Sequence, residues 1–314
     1  MDEAILERFA EGGAAAVHPT VRGWSTRAEL VANLRLALAG EVRLVGDAAS
    51  ARALAAAFPV PGCGPEQYGN RVLEAPGGLG VLAGIRFRPS AGGAAWVDVV
   101  ATSRPVAGVS EWKRLFRRLA AEFAGFAPKW VGFFTADDDP AFRGRLAGDL
   151  VLAARLDDLR AASRARPGPV TLAPVAAAAC LAAYERTYAE FHAEAAGNAD
   201  LAQAEDLATL RRFEADGGLF EIVADGAPAG WCAARRSSRF GVRGWVGGEI
   251  LLRRQFRGRG LAAEAHLRMG AALPALAGEA IWAMVHDENA PSRRAGLRAG
   301  YLPAGRVVRV ATSP

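Results

Sequence analysis

Residues 255–262 read Gln255-Phe256-Arg257-Gly258-Arg259-Gly260-Leu261-Ala262, between an apolar strand-like run and a helix-like segment with an apolar stripe. Gly258 and Gly260 let the main chain turn tightly and aim several N–H groups at one point. These donors lie at a helix N-terminus, where the macrodipole adds about half a positive charge. A diphosphate placed there would accept hydrogen bonds from the N–H groups of Arg257 through Ala262, so phosphate binding is the physical expectation. A dinucleotide-binding G-x-G-x-x-G would need glycine where Ala263 stands, and the Gly-Lys-Ser/Thr of a P-loop is absent. Taken alone, the same turn also fits an ordinary glycine-rich loop.

The elements that must hold this turn can be read from the spacing of apolar residues. Val170–Leu172 reads as a short strand, and Pro174 opens an alanine-rich helix through about Glu194. Asp206–Ala215 reads as a second helix, stopped by Asp216-Gly217-Gly218. Leu219–Ala224 and Pro228–Arg235 form a hairpin across Asp225-Gly226, and Trp245–Leu252 is a third strand. Then follow the helix Leu261–Leu276, the strand Ala280–His286, the helix Pro291–Ala299 and the strand Tyr301–Val310. Helices, a strand meander and a closing β-α-β describe an α/β (α+β) domain with a mixed sheet.

With Asn289-Ala-Pro-Ser292 and Gly300-Tyr301 added downstream, the pattern resembles the GNAT superfamily of acyl-CoA N-acyltransferases over about residues 170–314. The resemblance implies that Gln255–Gly260 binds the diphosphate of acetyl-CoA, used as acyl donor, and that Asn289 flanks the pantetheine arm. It further implies that the strands Trp245–Leu252 and Ala280–His286 splay apart, so that pantetheine amides pair with the backbone at Ile250, Leu251 and Leu252 as an added strand. A backbone N–H near Leu252 would polarise the thioester carbonyl. The incoming amine must lose a proton, and Glu249, just before the Ile250-Leu251-Leu252 run, is the first candidate base. It also reads as a solvated or ion-paired strand carboxylate. His286 is the second candidate base, with a structural or capping role as its alternative. Many GNAT enzymes place a proton-donating tyrosine where this chain has Gly296. Ser292 or a water could replace it, or the thiolate could leave unaided; Ser292 also reads as a helix-start residue. Cys232 reads as packing, Tyr301 as core, and His18, His192 and His266 form no metal site.

Shifting the chain by 152 positions lays Gly108 on Gly260, Trp130 on Trp282 and Gly148 on Gly300. The helix-like Glu111–Phe123 and strand-like Lys129–Phe134 then fall on their C-terminal counterparts. The first half therefore reads as a degenerate second copy, giving tandem GNAT-like domains. The expected boundaries are 1–162, a Pro/Gly/Arg-rich linker at 163–169, and an acyltransferase domain at 170–314. In the degenerate copy, Ser103–Gly108 replaces the glycine turn, and Pro105 removes an N–H donor. Asp137-Asp138-Asp139 reads as a solvated acidic helix start, and Ala91–Ala94 with Trp96 as a hairpin bearing a core aromatic.

Composition narrows the classes. At 51% hydrophobic and 23% charged residues, the chain has ample material for packed cores. Its longest apolar run, Val175–Tyr184, covers ten residues, about half of a membrane span. The start, MDEAILERF, has no basic-then-apolar leader, and the three cysteines are widely spaced, so a cytoplasmic setting is expected. The net charge of +5 comes from basic residues that are arginine except for Lys113 and Lys129, in no basic run, so no nucleic-acid partner is expected. The leading expectation is an N-acyltransferase, acetyl-CoA-dependent and metal-free, acting on a small-molecule amine through a ternary complex, as monomer or homodimer. Two alternatives stay open: a CoA-binding sensor or structural protein without catalysis, which Gly296 invites, and a transferase using aminoacyl-tRNA.

Overall fold

The computed structural model describes residues 2–88, 94–136, 148–195 and 197–312. In chain order the elements are α1 (Glu3–Ala16), α2 (Pro19–Arg22), α3 (Arg27–Arg43), α4 (Ala48–Ala57), β1 (Arg71–Ala75), β2 (Leu79–Arg88), β3 (Ala94–Thr102), α5 (Gly108–Glu122) and β4 (Trp130–Thr135). They continue with β5 (Gly148–Arg155), α6 (Leu156–Ala165), β6 (Val170–Pro174), α7 (Ala177–Glu194), α8 (Asn198–Leu201), α9 (Leu207–Ala215), β7 (Leu219–Ala224) and β8 (Ala227–Arg236). The last are β9 (Gly244–Leu252), α10 (Leu261–Ala272), β10 (Ala280–His286), α11 (Ala290–Ala299) and β11 (Leu302–Ala311). The acidic triplet Asp137–Asp139, read as a helix start, and the turn at 91–93 lie outside the described residues.

Two compact units form, and neither is a contiguous half of the chain. The first comprises Met1–Asp149, Arg239–Gly241 and Ala304–Pro314, and the second Leu150–Ser238 and Val242–Pro303. The compact units therefore separate beside Asp149 rather than at residues 163–169. Ser163–Ala165 are instead the last turn of α6, with Ser163 buried. The first unit takes its last strand from the far end of the sequence, whereas the second begins with the edge strand of its own sheet. In the first, the strand order is β1-β2-β3-β4-β11, with β11 antiparallel to β4 from Arg306–Thr135 to Ala311–Trp130. In the second, it is β5-β10-β9-β8-β7-β6.

Within each unit the sheet repeats one plan: antiparallel strands followed by a short parallel pair. In the first unit, β3 and β4 pair in parallel over Val97–Val131 to Val99–Phe133. In the second, β9 and β10 pair over Gly244–Ala280 to Val246–Trp282, and the parallel pairing ends there. The sheet of the second unit packs α6 and α10 against one face, around Leu159, Leu261, Ala265, Cys232 and Ile281. α7 and α9 cover the other face through Tyr184, Tyr188, Leu210, Phe213 and Trp231. Alternation along β8 serves both cores, since Trp231 and Ala233 face one and Cys232 and Ala234 the other.

Local chemistry explains where the elements begin and end. Asp225 and Gly226 both take positive φ, 53° and 78°, as the tight β7–β8 turn requires. Asp206 caps α9 through the Thr209 N–H. Pro174 does not open α7 as its position implied. It ends β6, paired with Phe220, and the helix starts three residues later. α10 ends before Leu276, with Leu273 as its cap and Pro274 unable to continue the helix.

Candidate functional site

The antiparallel register between β8 and β9 slips once, where Ala233 faces Glu249 while Ala234 faces Gly247. Gly248 is the extra residue, a β-bulge. Without it, strict alternation would send Glu249 to the same side as Trp245, into the core under α10. The bulge instead turns Glu249 to the face covered by α7 and α9. Gly248 suits that place because a Cβ there would approach the Phe213 ring of α9 to 2.4 Å.

Two phenols meet the carboxylate. The Tyr184 and Tyr188 hydroxyls, one helical turn apart on α7, each donate to Glu249 Oε2 at 2.7 Å. Tyr184 also accepts the Glu205 N–H at 3.0 Å. Burial pushes the Glu249 carboxyl up to about 7; the tyrosine donors act against the rise, and the charge of Glu205 adds to it. Burial, reinforced by Glu249, holds both phenols well above the ordinary tyrosine range, so they stay protonated donors. Glu249 is only partly buried, so part of it stays accessible. A carboxylate of this kind can take a proton near neutral pH. Tyr184 and Tyr188 did not emerge from the sequence as site residues; their only signal was the i, i+4 spacing in Tyr184-Glu-Arg-Thr-Tyr188, which also describes a core stripe.

The glycine turn forms as its sequence implied. Phe256 is buried and anchors it, Gly258 and Gly260 take φ of 77° and 79°, and α10 starts at Leu261. No side chain caps that N-terminus, and a Cβ at either glycine would meet open space. These glycines are thus required by backbone conformation, not by crowding. Gln255 is exposed, while Leu261 is buried and Ala262 partly so. Arg259 pairs with Asp225 at 2.6 Å on the surface. Arg257 turns its side chain away from the turn: Nε donates to Leu252 O at 2.8 Å, Nη1 to Glu194 at 2.7 Å, and the guanidinium lies over the Phe191 ring. Helix α7 thereby touches both parts of the site, Glu249 through its tyrosines and the turn through Phe191 and Glu194.

Beyond Val246, the β9 main chain at Ile250, Leu251 and Leu252 keeps its β8 partners, Cys232, Trp231 and Gly230, but has no parallel pairing with β10. That is the edge an extended ligand could join. Asn289 caps α11, its Oδ1 accepting the Ser292 N–H at 3.1 Å. Ser292 therefore sits in the first turn of that helix and is capped rather than capping. His286 Nδ1 accepts the Glu288 N–H at 3.3 Å in the turn after β10, the structural role foreseen as its alternative. Nothing brings it to Glu249. Gly296 is filled from outside: a Cβ there would lie 2.9 Å from Leu152 Cδ1 of β5. Strand β5 thus occupies the space beside the position where many GNAT enzymes place a tyrosine. Cys232 is fully buried, its thiol held well above the usual range by burial, which fits packing rather than nucleophilic attack. Tyr301 is buried against His266, as a core residue.

The first unit repeats the frame with different residues. Its β2–β3 register slips in the same way, with Leu82 facing Ala101 and Ala83 facing Val99, so Ala101, not a carboxylate, follows the bulge. A carboxylate lies at the start of its helix α5. Glu111 accepts the Ala107 N–H at 2.5 Å and both Arg104 nitrogens at 3.0 and 2.6 Å. These donors hold its carboxyl down at about 2. A folded value below the unfolded one means that the contribution is present above about pH 4.5 and fades as pH falls toward 2. Glu111→Gln is expected to destabilise the protein by about 1–2 kcal/mol at pH 7, discounted for the exposed Arg104. In denaturant melts the gap to wild type should close between these two pH values. A gap that does not change with pH would remove Glu111 from this role. Among the described residues no cluster of His, Cys, Asp and Glu could hold a metal ion, and no helix is long and apolar enough to cross a membrane.

No protein-family model matches the sequence, and no curated protein matches it. Solved structures do resemble it. One is a GCN5-related N-acetyltransferase from Sphaerobacter thermophilus, 18% identical, covering 81% of this chain and 84% of that one at a TM-score of 0.52. Another is a GCN5-related N-acetyltransferase from Kribbella flavida, 18% identical, covering 78% and 90% at a TM-score of 0.46. A third is a tandem GNAT protein from the clavulanic acid biosynthesis pathway, 16% identical, covering 76% and 81% at 0.39. The chain has the mixed α/β fold of the GCN5-related N-acetyltransferases.

Proposed function

We propose that the protein is an acyl-CoA-dependent N-acyltransferase, with acetyl-CoA as donor and a small-molecule amine as acceptor, working through direct attack in a ternary complex. One observation carries the reading. The bulge at Gly248 turns a partly accessible carboxylate onto the α7 face, on the same strand that leads into an uncapped, glycine-formed helix N-terminus. That N-terminus fits a diphosphate: its donors are uncapped, the backbone turns without side chains in the way, and the dipole favours an anion. The N–H groups of Arg257 through Ala262 would hold the phosphates, and the unpaired β9 edge at Ile250–Leu252 would hold the extended arm. When bound, the thioester supplies an activated acyl group. Glu249 takes the proton that the attacking amine must lose. α7 excludes water from one side of the carboxylate, and positioning supplies much of the remaining rate. Among the described residues the second unit bears this chemistry; in the first, Ala101 follows the bulge and Glu111 takes the N–H before the helix.

The test is thiol release from acetyl-CoA against a broad amine panel, beside a thermal-shift titration. Ligand at 100 times its Kd should stabilise the fold by about 2.7 kcal/mol. A shift with no thiol release from any amine would favour the second reading, a CoA-binding protein without turnover, which the Leu152-filled space at Gly296 supports. No shift at all would end both.

A further inference from the structure

The site holds more than a base. Both phenols of α7 donate to the same oxygen of Glu249, which leaves Oε1 with no side-chain donor. The rings are fixed: Tyr184 and Tyr188 are 1% and 4% exposed, and Tyr184 stacks edge-on against both Tyr188 and Trp231. Their hydroxyls therefore have little freedom to follow a moving carboxylate, so the carboxylate is held by them. Tyr184 extends the chain of bonds to the main chain of Glu205, next to Asp206, which caps α9. The α8–α9 segment, Tyr184, Glu249 and Tyr188 thus form one hydrogen-bonded unit, built on helices α7 and α9 that share a core.

We propose that Tyr184 and Tyr188 are positioning residues that clamp Oε2 of Glu249, fix its rotamer with Oε1 toward the acceptor, and tie it to the segment before α9. This rests on the transferase reading, in which Glu249 is the base. A hydroxyl that donates to a carboxylate favours its ionised form, so the clamp also keeps the base available at neutral pH. The titratable groups around Glu249 are Tyr184 and Tyr188 on α7, Glu205 before α9 and Cys232 on β8; Arg212 and Arg235 act on Glu205. Of these, only the two phenols donate hydrogen bonds to the carboxylate from side chains.

Tyr184→Phe and Tyr188→Phe each remove one donor and leave the ring. Carbon-13 NMR of the Glu249 carboxyl, assigned against Glu249→Gln, reads the titration without any substrate. The midpoint is expected to rise by about one pH unit in each single variant, roughly the effect of one charge-assisted hydrogen bond. With an active amine, the acid limb of kcat/KM should move up with it, so that the rate falls about tenfold at pH 6 and less than about threefold at pH 9. Midpoints within about 0.3 unit of wild type in both single variants would overturn the clamp. A loss of activity equal at all pH values, with the midpoint unmoved, would reduce the tyrosines to packing and overturn it as well. If no amine turns over, the NMR midpoints still decide the clamp, and only the transferase reading is lost.

Discussion

Glu249→Gln is expected to lower kcat/KM by about 10²–10⁴-fold, the range for removing a general base, while leaving acetyl-CoA binding unchanged. Glutamine keeps an acceptor oxygen for the tyrosine hydroxyls and nearly the same volume, so the site geometry survives. The substitution has a second readout with the opposite sign. The folded carboxyl titrates near 7, above its unfolded value of 4.5, so its contribution to stability is present below 4.5 and is lost as pH rises through 7. Above neutrality the ionised carboxylate is a burden on the fold that glutamine does not carry. The variant should therefore melt at or above the wild-type temperature at pH 8, with the difference vanishing near pH 4. Lost activity joined to retained or raised stability marks a group kept for chemistry. A variant that is less active because it is less stable would argue for a structural carboxylate.

The same carboxylate shows how far the sequence could be read. Its place on the strand was visible, because Ile250-Leu251-Leu252 follows it as a buried run. Its direction was not. A one-residue bulge reverses which face a side chain takes, and here its residue is Gly248, where a side chain would collide with the Phe213 ring 35 positions away. Tyr184 and Tyr188 were hidden for a related reason: on an alanine-rich helix, two tyrosines a turn apart look like core until a carboxylate is seen between them. The strand exchange was hidden too. β5 and β11 each carry the apolar pattern of any closing strand, and nothing local says which sheet they complete. That exchange bears on the site, since Leu152 of β5 takes the space beside Gly296. The repeat itself was legible, because the positive-φ glycine that starts α5 and the one before α10 occupy matching positions. What the repeat could not reveal was that Glu111 folds back onto the N–H of Ala107 at one of them.

The glycine turn was the most legible part, since positive φ restricts the residue type directly, and it supports the second large prediction. Gly258→Pro should abolish the acetyl-CoA thermal shift. Proline fixes φ near −65°, whereas Gly258 sits at +77°, and proline also deletes an N–H from the proposed phosphate cradle. Losing one charge-assisted hydrogen bond to a diphosphate, at about 1.5–3 kcal/mol, weakens binding by at least about 10-fold, and the displaced backbone misaims the donors beside it. Gly258→Ala separates conformation from crowding. Open space surrounds the position, so alanine meets no neighbour and carries only the left-handed backbone cost of about 1–2 kcal/mol. Calorimetry should then rank wild type above alanine and alanine above proline, with the unliganded melts of wild type and alanine differing by no more than that backbone cost. If proline binds acetyl-CoA as tightly as wild type does, the phosphates are held elsewhere, and Glu249 would have no donor positioned beside it.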